Sequence, residues 1–212
     1  MRIVNISWMK NFVIFILLLF GNFSLHCESV VYFSPKEGIC QQLIKCINSS
    51  RQRIYAAIYL LTDKTIAQAL IDAKNKRGID VQIVTDVSSL ENRHNKIDWL
   101  KENGIEIFIF RPNKKSSGNF GQIMHNKFAL FDNKVWTGSF NWTFSADKRN
   151  RENIICVDDD HICKRYEREF ERLKRRCIKS RRIAGKGRDA GNSLKEKVFQ
   201  LLKSIRDNFK LG

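Results

Sequence analysis

Residues 54–85 constrain the fold most strongly, because they predict a strand, a helix and a second strand in succession. Ile54 to Leu61 is an apolar run typical of a buried strand. Apolar residues at helical spacing follow and end at Gly78, and Val81 to Thr85 is the next apolar run. A crossover unit of this kind pairs its two strands in parallel. It therefore predicts an α/β fold, an α-β-α sandwich in which helices flank a mixed, mostly parallel sheet.

Apolar runs elsewhere extend this sandwich, and we expect residues 30–182 to form one domain. A long amphipathic helix is predicted from about His161 to Arg182, with Phe170 and Leu173 on its packing face. Further elements are predicted as strands over Val30–Phe33, Ile105–Phe110, Phe128–Phe131, Val135–Thr137 and Ile154–Val157, and as helices over Gly38–Asn48 and Ile97–Asn103.

Residues 1–29 have the pattern of an export signal. Arg2 and Lys10 give this end a positive charge, and Phe12 to Phe20 is an uninterrupted apolar run. The run is shorter than the ~20 residues that a membrane-spanning helix needs. We therefore expect a signal peptide and a secreted or periplasmic protein. Because no clean cleavage site of small residues precedes Val30, an uncleaved membrane anchor is the alternative.

Two further segments follow the domain. Residues 183–193 are rich in glycine and basic residues, which is typical of a linker. Residues 194–212 have apolar side chains at helical spacing with basic side chains opposite, which predicts a basic amphipathic helix. Such a helix can dock on the domain, lie on a membrane surface or bind a partner.

The net charge and the cysteines narrow the class of partner. A formal charge of +16 favours a polyanion, either nucleic acid or an anionic membrane surface, without choosing between them. The six cysteines have no C-x-x-C spacing, so no zinc site is predicted. They do not predict a disulfide framework either, although Cys40 or Cys46 could pair with a distant cysteine in an exported protein.

The most distinctive polar pattern is H-x-K-x4-D, formed by His125, Lys127 and Asp132. It runs into an apolar strand whose side chains alternate between faces, so His125 and Lys127 should project from one face. Asp132 begins a turn, and the short strand after it leads to Ser139 and Asn141. Two adjacent antiparallel strands would bring the histidine, the lysine, the serine and the asparagine to one spot.

That grouping has a chemical meaning, because a phosphodiester carries negative charge. Lys127, the hydroxyl of Ser139 and the amide of Asn141 can hold its oxygens by hydrogen bonds. An unprotonated His125 can then attack phosphorus. A nucleophilic imidazole needs its other nitrogen held, usually by a carboxylate, and Glu152 is the candidate. This scheme requires no metal and no cofactor.

A basic, glycine-containing loop, residues 111–121, immediately precedes the motif. Lys114 and Lys115 in this loop, and Asn126 beside the histidine, are the candidate substrate-binding residues. They could meet the flanking phosphates of a polyanion or lipid headgroups. A long connection without a binding role is the alternative.

The spacing H-x-K-x4-D followed by G-S-x-N resembles the signature of the phospholipase D superfamily, the HKD motif. The segments G-S-F-N-W-T and N-R-E-N are similar to those of the short, single-motif branch of this superfamily, which includes bacterial secreted endonucleases and mitochondrial cardiolipin hydrolase-like proteins. The resemblance covers Val30 to Lys174. It implies a phospholipase D-like catalytic domain and a phosphodiesterase activity.

The resemblance also implies a role for each matching residue. His125 would be the nucleophile that forms a phosphohistidine, and its orientation would be fixed by Glu152. The phosphate would be bound by Lys127, Ser139 and Asn141. Asp132 completes the catalytic set in a supporting, mostly structural part.

A single motif leaves this chemistry incomplete, because the leaving group needs an acid as well as a nucleophile. The chain repeats the text H-N-K at residues 94–96, but Lys101 stands where the acid should be and no G-S-x-N follows. We therefore expect a two-fold homodimer in which two His125 side chains face each other, as the resemblance also implies.

Three functions are compatible with these features. The first is a metal-independent endonuclease for DNA or RNA, which the charge and the basic loop favour. The alternative is a hydrolase of phospholipids such as cardiolipin, which the apolar amino end and the basic amphipathic carboxyl end favour. A binding module without activity is the third, and the intact set of motif residues argues against it.

Overall fold

One seven-stranded sheet forms the centre of the fold. A computed structural model describes the protein over residues 28–112 and 122–178. In these ranges the strand order is β1-β7-β6-β5-β2-β3-β4. The strands are Glu28–Phe33 (β1), Arg53–Ile58 (β2), Asp80–Asp86 (β3), Glu106–Phe110 (β4), Lys127–Phe131 (β5), Lys134–Gly138 (β6) and Asn153–Asp158 (β7).

Helices cover both faces of this sheet, as the predicted sandwich requires. They are Ile39–Ser49 (α1), Lys64–Arg77 (α2), Ile97–Glu102 (α3), Phe144–Lys148 (α4) and 160–178 (α5), with a 3-10 turn over Val87–Glu91. On one face, α1 and α2 share a core with Ala129 of β5. On the other face, Phe170 of α5 shares a core with Leu130, the next residue of the same strand.

The strand directions differ in part from the prediction. The parallel pairing of β2 with β3 follows from the crossover unit, and β3 also pairs with β4 in parallel. The other four pairings are antiparallel, so the mixed sheet is confirmed but its mostly parallel character is wrong. The short turn of Asp132 and Asn133 makes β5 and β6 antiparallel, as the sequence predicts. The other three antiparallel pairs join strands that no short turn connects, so no local pattern indicates their direction.

Helix α2 shows why the crossover unit forms where the sequence places it. The Asp63 carboxylate caps the helix by accepting the backbone N–H groups of Thr65 at 2.8 Å and Ile66 at 3.0 Å. Gly78 ends it in the left-handed conformation, with φ 69°, as the sequence predicts. Because β2 and β3 run in parallel, their carboxyl ends reach the same edge of the sheet.

Several predicted segments lie outside the described residues. They are the export signal up to residue 27, the basic loop over residues 113–121, the linker over 183–193 and the basic helix over 194–212. Helix α5 is helical up to residue 178, where the described range ends. Between residues 28 and 178, apart from that loop, no helix is both long enough and apolar enough to span a membrane.

Candidate active site

His125 lies at the edge of the sheet where β2 and β3 end and β5 begins. The backbone N–H of Tyr59, the residue after β2, donates to the carbonyl oxygen of Asn126 at 3.0 Å. The aromatic ring of Tyr59 then lies 4.5 Å from the His125 imidazole, centroid to centroid, at an angle of 56°. The imidazole is exposed on its other side. Sequence reasoning missed Tyr59, which lies in an otherwise ordinary strand pattern.

Lys127 projects toward His125, as the alternation of the strand predicts. Its ammonium nitrogen lies 3.2 Å from Nδ1 of His125 and donates to the His125 carbonyl oxygen at 2.8 Å. The same ammonium lies 5.2 Å from the centroid of the Tyr59 ring, in a cation-π arrangement. A fixed positive charge therefore stands beside the imidazole at an edge open to solvent.

The electrostatic surroundings favour the neutral imidazole. Burial and the ammonium of Lys127 lower the pKa of His125, and the carboxylate of Asp86 opposes them. Burial also lowers the pKa of Lys127, and the carboxylate of Glu152 opposes that change. Since a free imidazole has a pKa of about 6.5, a lowered value leaves His125 unprotonated near neutral pH.

Ser139 and Glu152 form a second polar group, one strand further along the sheet. The Ser139 hydroxyl donates to Oε2 of Glu152 at 2.5 Å and accepts the backbone N–H of Asn153 at 3.1 Å. The side-chain amide of Asn150 donates to Oε1 of Glu152 at 2.9 Å. Both carboxylate oxygens of Glu152 are therefore occupied.

The predicted contact between Glu152 and His125 is not formed within the described chain. No hydrogen bond joins the two side chains there, and the charge of Glu152 acts on Lys127 instead. The reason is the strand order: β7, which Glu152 precedes, is two strands from β5, a separation of about 10 Å. Ser139, at the end of the intervening β6, receives the carboxylate.

Two backbone features hold Glu152 and Ser139 in place. The buried Ser34 hydroxyl accepts the backbone N–H of Glu152 at 3.0 Å, and the Ser34 N–H donates to the Glu152 carbonyl at 3.0 Å. At Gly138 the neighbouring strand comes so close that a Cβ atom would lie 2.1 Å from the Asn153 carbonyl oxygen. Sequence reasoning missed Ser34, because its partner is 118 residues away.

Asn141 lies on the segment that crosses from β6 to the end of β2. The next residue, Trp142, donates its backbone N–H to the Leu60 carbonyl at 3.0 Å and accepts that of Thr62 at 2.9 Å. The Asn141 side-chain oxygen is buried and has no partner among the described residues. Because this oxygen accepts hydrogen bonds and phosphate oxygens also accept them, only the side-chain NH2 group of Asn141 could bind a phosphate, and that role stays a prediction.

Asp132 lies at the opposite end of β5, about 16 Å from Lys127 for five residues of strand. Its carboxylate accepts the backbone N–H groups of Arg51, Gln52 and Arg53 at 2.8, 2.9 and 3.0 Å. Burial acts to raise the pKa of Asp132, but these backbone hydrogen bonds outweigh it and lower the pKa. Its position excludes contact with a phosphate at His125, so membership of the catalytic set is corrected to a structural part.

The candidate substrate-binding residues are placed only in part. Asn126 has an exposed side chain, and its backbone oxygen binds Tyr59, so its contact with substrate stays a prediction. Lys114 and Lys115 lie outside the described residues. Within the described ranges, no group of three or more His, Cys, Asp or Glu side chains is arranged to hold a metal ion.

Sequence reasoning also missed Asp86, the last residue of β3. The side chain is 1% exposed, and its Oδ2 accepts the backbone N–H of Met124 at 2.7 Å. An acidic residue that ends a buried strand was the only available signal. Together these residues offer a neutral imidazole, an adjacent ammonium, a hydroxyl and an amide, which is a set suited to binding and attacking a phosphodiester.

Comparison with known proteins places this geometry in a family. The family described as "Cardiolipin synthase, PLD-like domain" matches residues 43–174. "Phospholipase D" of Rickettsia bellii is 38% identical over 135 residues, which are 63% of each chain. "Mitochondrial cardiolipin hydrolase" of Xenopus tropicalis is 32% identical over 157 residues, covering 69% of this chain and 70% of that protein.

The fold agrees with a solved structure of similar size. NucT from Helicobacter pylori is 28% identical, with a TM-score of 0.65, and the match covers 70% of this chain and 96% of that chain. The chain spans 63% of the length of the Rickettsia bellii relative. The matched range of residues 43–174 is more than half of the chain and contains both polar groups described above. The chain therefore belongs to the phospholipase D-like (PLD-like) domain family.

Proposed function

We propose that the protein hydrolyses phosphodiester bonds through a phosphohistidine and acts as a metal-independent endonuclease on DNA or RNA. The observation that carries the proposal is the pairing of His125 with Lys127 at 3.2 Å, at an open edge of the sheet. A neutral imidazole beside a fixed ammonium is what attack on an anionic phosphorus requires.

The proposed reaction has two steps. In the first, the unprotonated nitrogen of His125 forms a bond to phosphorus, the bond to the leaving oxygen breaks, and that oxygen takes a proton from an acid. In the second, water attacks phosphorus, gives its proton to a base, and releases His125. Lys127, Ser139 and Asn141 would hold the non-bridging oxygens during both steps. The scheme uses no cofactor.

The acid and base of this scheme are proposed to come from a second copy of the chain. Two other imidazoles lie in the described residues. His94 lies in an exposed loop, where its Nε2 accepts a hydrogen bond from Nε of Arg93 at 3.0 Å. His161 lies at the start of α5, which follows the end of β7 that is remote from His125. A two-fold homodimer with facing His125 side chains supplies a second imidazole, which is protonated when the first is neutral.

The distribution of positive charge supports a nucleic-acid substrate. The chain carries a formal charge of +16. On α5, the side chains of His161, Arg165, Arg168 and Arg172 line one open surface groove, with Glu169 as the only acid there. A row of three arginines, of which Arg172 is paired with Glu169, matches the repeated phosphates of a nucleic acid better than the one or two phosphates of a lipid headgroup.

Hydrolysis of phospholipids is the second candidate. Ile123, two residues before the nucleophile, is 54% exposed, and Phe144, three residues after Asn141, is 56% exposed. Apolar side chains beside an anion-binding site would suit a membrane surface. Two relatives bear the names "Phospholipase D" and "Mitochondrial cardiolipin hydrolase". Secretion, a periplasmic location or membrane anchoring through residues 1–29 is proposed from the sequence pattern alone.

The deciding experiment offers plasmid DNA, single-stranded RNA and anionic phospholipid vesicles in parallel to the purified protein in EDTA. His125→Ala is the matched control. We expect cleavage of nucleic acid that the substitution removes. Lipid turnover with intact nucleic acid would replace the first function by the second. Cleavage that needs added metal would contradict the metal-independent scheme.

A further inference from the structure

Asp86, at the end of β3, binds both the turn that follows this strand and the segment that precedes His125. Its Oδ1 accepts the backbone N–H of Ser88 at 2.9 Å and the Ser88 hydroxyl at 2.7 Å. Its Oδ2 accepts the backbone N–H of Met124 at 2.7 Å. A side chain that is 1% exposed and accepts three hydrogen bonds is held rigidly in one position.

The segment that carries the nucleophile is thereby fixed on both sides. Before His125, the Met124 N–H is bound by Asp86, and the Met124 side chain is 3% exposed in the core under α5. After His125, the Asn126 carbonyl is bound by the N–H of Tyr59. These backbone contacts set the position of the segment, and the Tyr59 ring and the Lys127 ammonium contact the imidazole itself.

The charge of Asp86 also reaches the imidazole. Around His125, the charged groups are Lys127 from β5 and Asp86 from β3, with the Tyr59 ring packed against it from the end of β2. On the side of α5, the charge of Asp86 acts on the Cys177 thiol. Among these groups, Asp86 is the one that favours the protonated imidazole.

We infer that Asp86 is a positioning residue, which holds the His125 segment through the Met124 N–H. This inference rests on the proposed function only in naming His125 as the reacting group. In the proposed dimer, one His125 must be neutral to attack and the other must be protonated to act as the acid. A buried carboxylate near each His125 allows either copy to take either role. It also supplies a carboxylate to a histidine that Glu152 does not reach in one chain.

The test compares Asp86→Asn with Asp80→Asn in the full chain. Asp80 is the control because it lies at the other end of β3 and accepts the Tyr55 hydroxyl at 2.6 Å, remote from His125. The readouts are the NMR titration of the His125 imidazole and the kinetics with bis(4-nitrophenyl) phosphate, a phosphodiester that is neither nucleic acid nor lipid. Asp86→Asn should lower the titration midpoint of His125 and reduce kcat at least tenfold with KM changed less than threefold.

Two results would overturn the inference. One is a His125 midpoint that is the same in Asp86→Asn as in the unsubstituted protein. The other is an equal displacement in Asp80→Asn, which would make the effect a general loss of structure. If Asp86→Asn does not fold, hydrogen exchange of the unsubstituted protein decides: the Met124 amide must be protected and its chemical shift must follow the His125 titration. Neither NMR readout depends on activity, so a failure of the proposed function would be seen separately.

A second inference comes from the other side of the sheet, where two cysteines meet. Cys46 on α1 and Cys156 on β7 pack at the margin of one core. The neighbouring Cys156 thiol and burial raise the pKa of the Cys46 thiol. Cys46 lines a surface groove together with Asp158, which lies on the same face of β7 as Cys156. A small disulfide reagent can therefore reach the pair from solvent.

We propose that Cys46 and Cys156 form a disulfide when the protein meets a disulfide donor. The thiolate of one cysteine attacks the donor, and one donor thiol leaves. The thiolate of the other cysteine then displaces the second donor thiol, so two protein thiols and one donor disulfide become one protein disulfide and two donor thiols. The bond would tie the last turn of α1 to β7, the strand beside the edge strand β1.

Peptide mapping after incubation of the full chain with oxidised glutathione at pH 8.5 tests this pair. We expect a linked peptide joining Cys46 to Cys156, its loss in Cys46→Ser, and its retention in Cys40→Ser, the control on the same helix. The Tm should be several degrees higher for the linked form. Alkylation of both thiols after this incubation, or linkage of either to another cysteine instead, would overturn the proposal.

Discussion

Strand β5 carries motif residues at both of its ends, and the two ends are held in different ways. At the Asp132 end, one carboxylate accepts three consecutive backbone N–H groups. At the other end, the His125 imidazole is exposed and its main contact is the ammonium of Lys127. The carboxylate at one end is therefore bound by the chain itself, and the imidazole at the other end is open to solvent.

The H-x-K-x4-D motif therefore combines two roles, structural support at Asp132 and ligand binding at His125 and Lys127. A carboxylate bound by the chain that precedes β2 fixes where β5 lies in the sheet, and so fixes His125 at a distance of several residues. Side chains left open at the other end can bind a ligand, which is what chemistry requires. The spacing of five residues between Lys127 and Asp132 equals the length of β5, which connects the structural carboxylate to the candidate active site.

The largest expected effect separates the two ends directly. His125→Ala should reduce phosphodiester hydrolysis at least about 1,000-fold, because the nucleophile is removed. The free energy of unfolding should stay within about 0.5 kcal/mol, since the side chain is exposed. Rates measured beside urea unfolding check both statements. Retention of a tenth of the activity would exclude His125 as the nucleophile.

A substitution at Gly138 should damage the active end through packing. In Gly138→Ala the new methyl group would collide with the Asn153 carbonyl, which lies 2.1 Å from the Cβ position. Forcing β6 from β7 should cost about 3 kcal/mol of stability and misplace Ser139 and Glu152. Thermal unfolding and the rate with bis(4-nitrophenyl) phosphate measure the two effects. Gly104→Ala is the control for the activity: with φ 82° an alanine there is strained and should also lose stability, but it lies away from the site and should leave the rate unchanged.

At the other end of β5, Asp132→Ala should lower stability rather than activity. Three backbone N–H groups would lose a charged acceptor, and the site is only partly buried, so we expect a loss of about 2 kcal/mol. The kcat per folded molecule should change less than threefold. A hundredfold fall in kcat with unchanged unfolding would instead return Asp132 to the catalytic set.

The sequence predicted the elements of the fold better than their order. Strands and helices follow from apolar periodicity, which is local, and the end of α2 at Gly78 follows from backbone chemistry. The crossover unit was then extended to the whole sheet, and this made the sheet mostly parallel. The pairing of β1 with β7 joins residues more than 100 positions apart, and no local pattern contains it.

The site divides in the same way. The contact of His125 with Lys127 is a consequence of alternation along one strand, so the sequence was sufficient. Whether Glu152 reaches His125 depends on how many strands separate β7 from β5. The sequence does not give that number, and the predicted contact is not formed within the described chain. Asp86 and Ser34 bind backbone groups 38 and 118 residues away. An acid or a serine at the end of a strand is common, so its presence does not predict such a distant partner.

The smallest expected effect is a difference in pH dependence between the two ends. The pKa of Asp132 is lowered in the folded state, so its charge contributes stability above the ordinary carboxyl pKa of about 4, and this is lost as the pH falls through the folded value. The pKa of His125 is also lowered, so the folded state disfavours the proton that the unfolded chain accepts below about pH 6.5. Urea unfolding of the unsubstituted protein, Asp132→Asn and His125→Ala at pH 7, 5 and 3 separates the two windows. The stability gap to Asp132→Asn should hold from pH 7 to 5 and be smaller at pH 3, whereas the gap to His125→Ala should change between pH 7 and 5. Each change should be below about 1 kcal/mol because both side chains are partly exposed. A gap to Asp132→Asn that is as large at pH 3 as at pH 5 would show that the carboxylate charge is not what holds that end of β5.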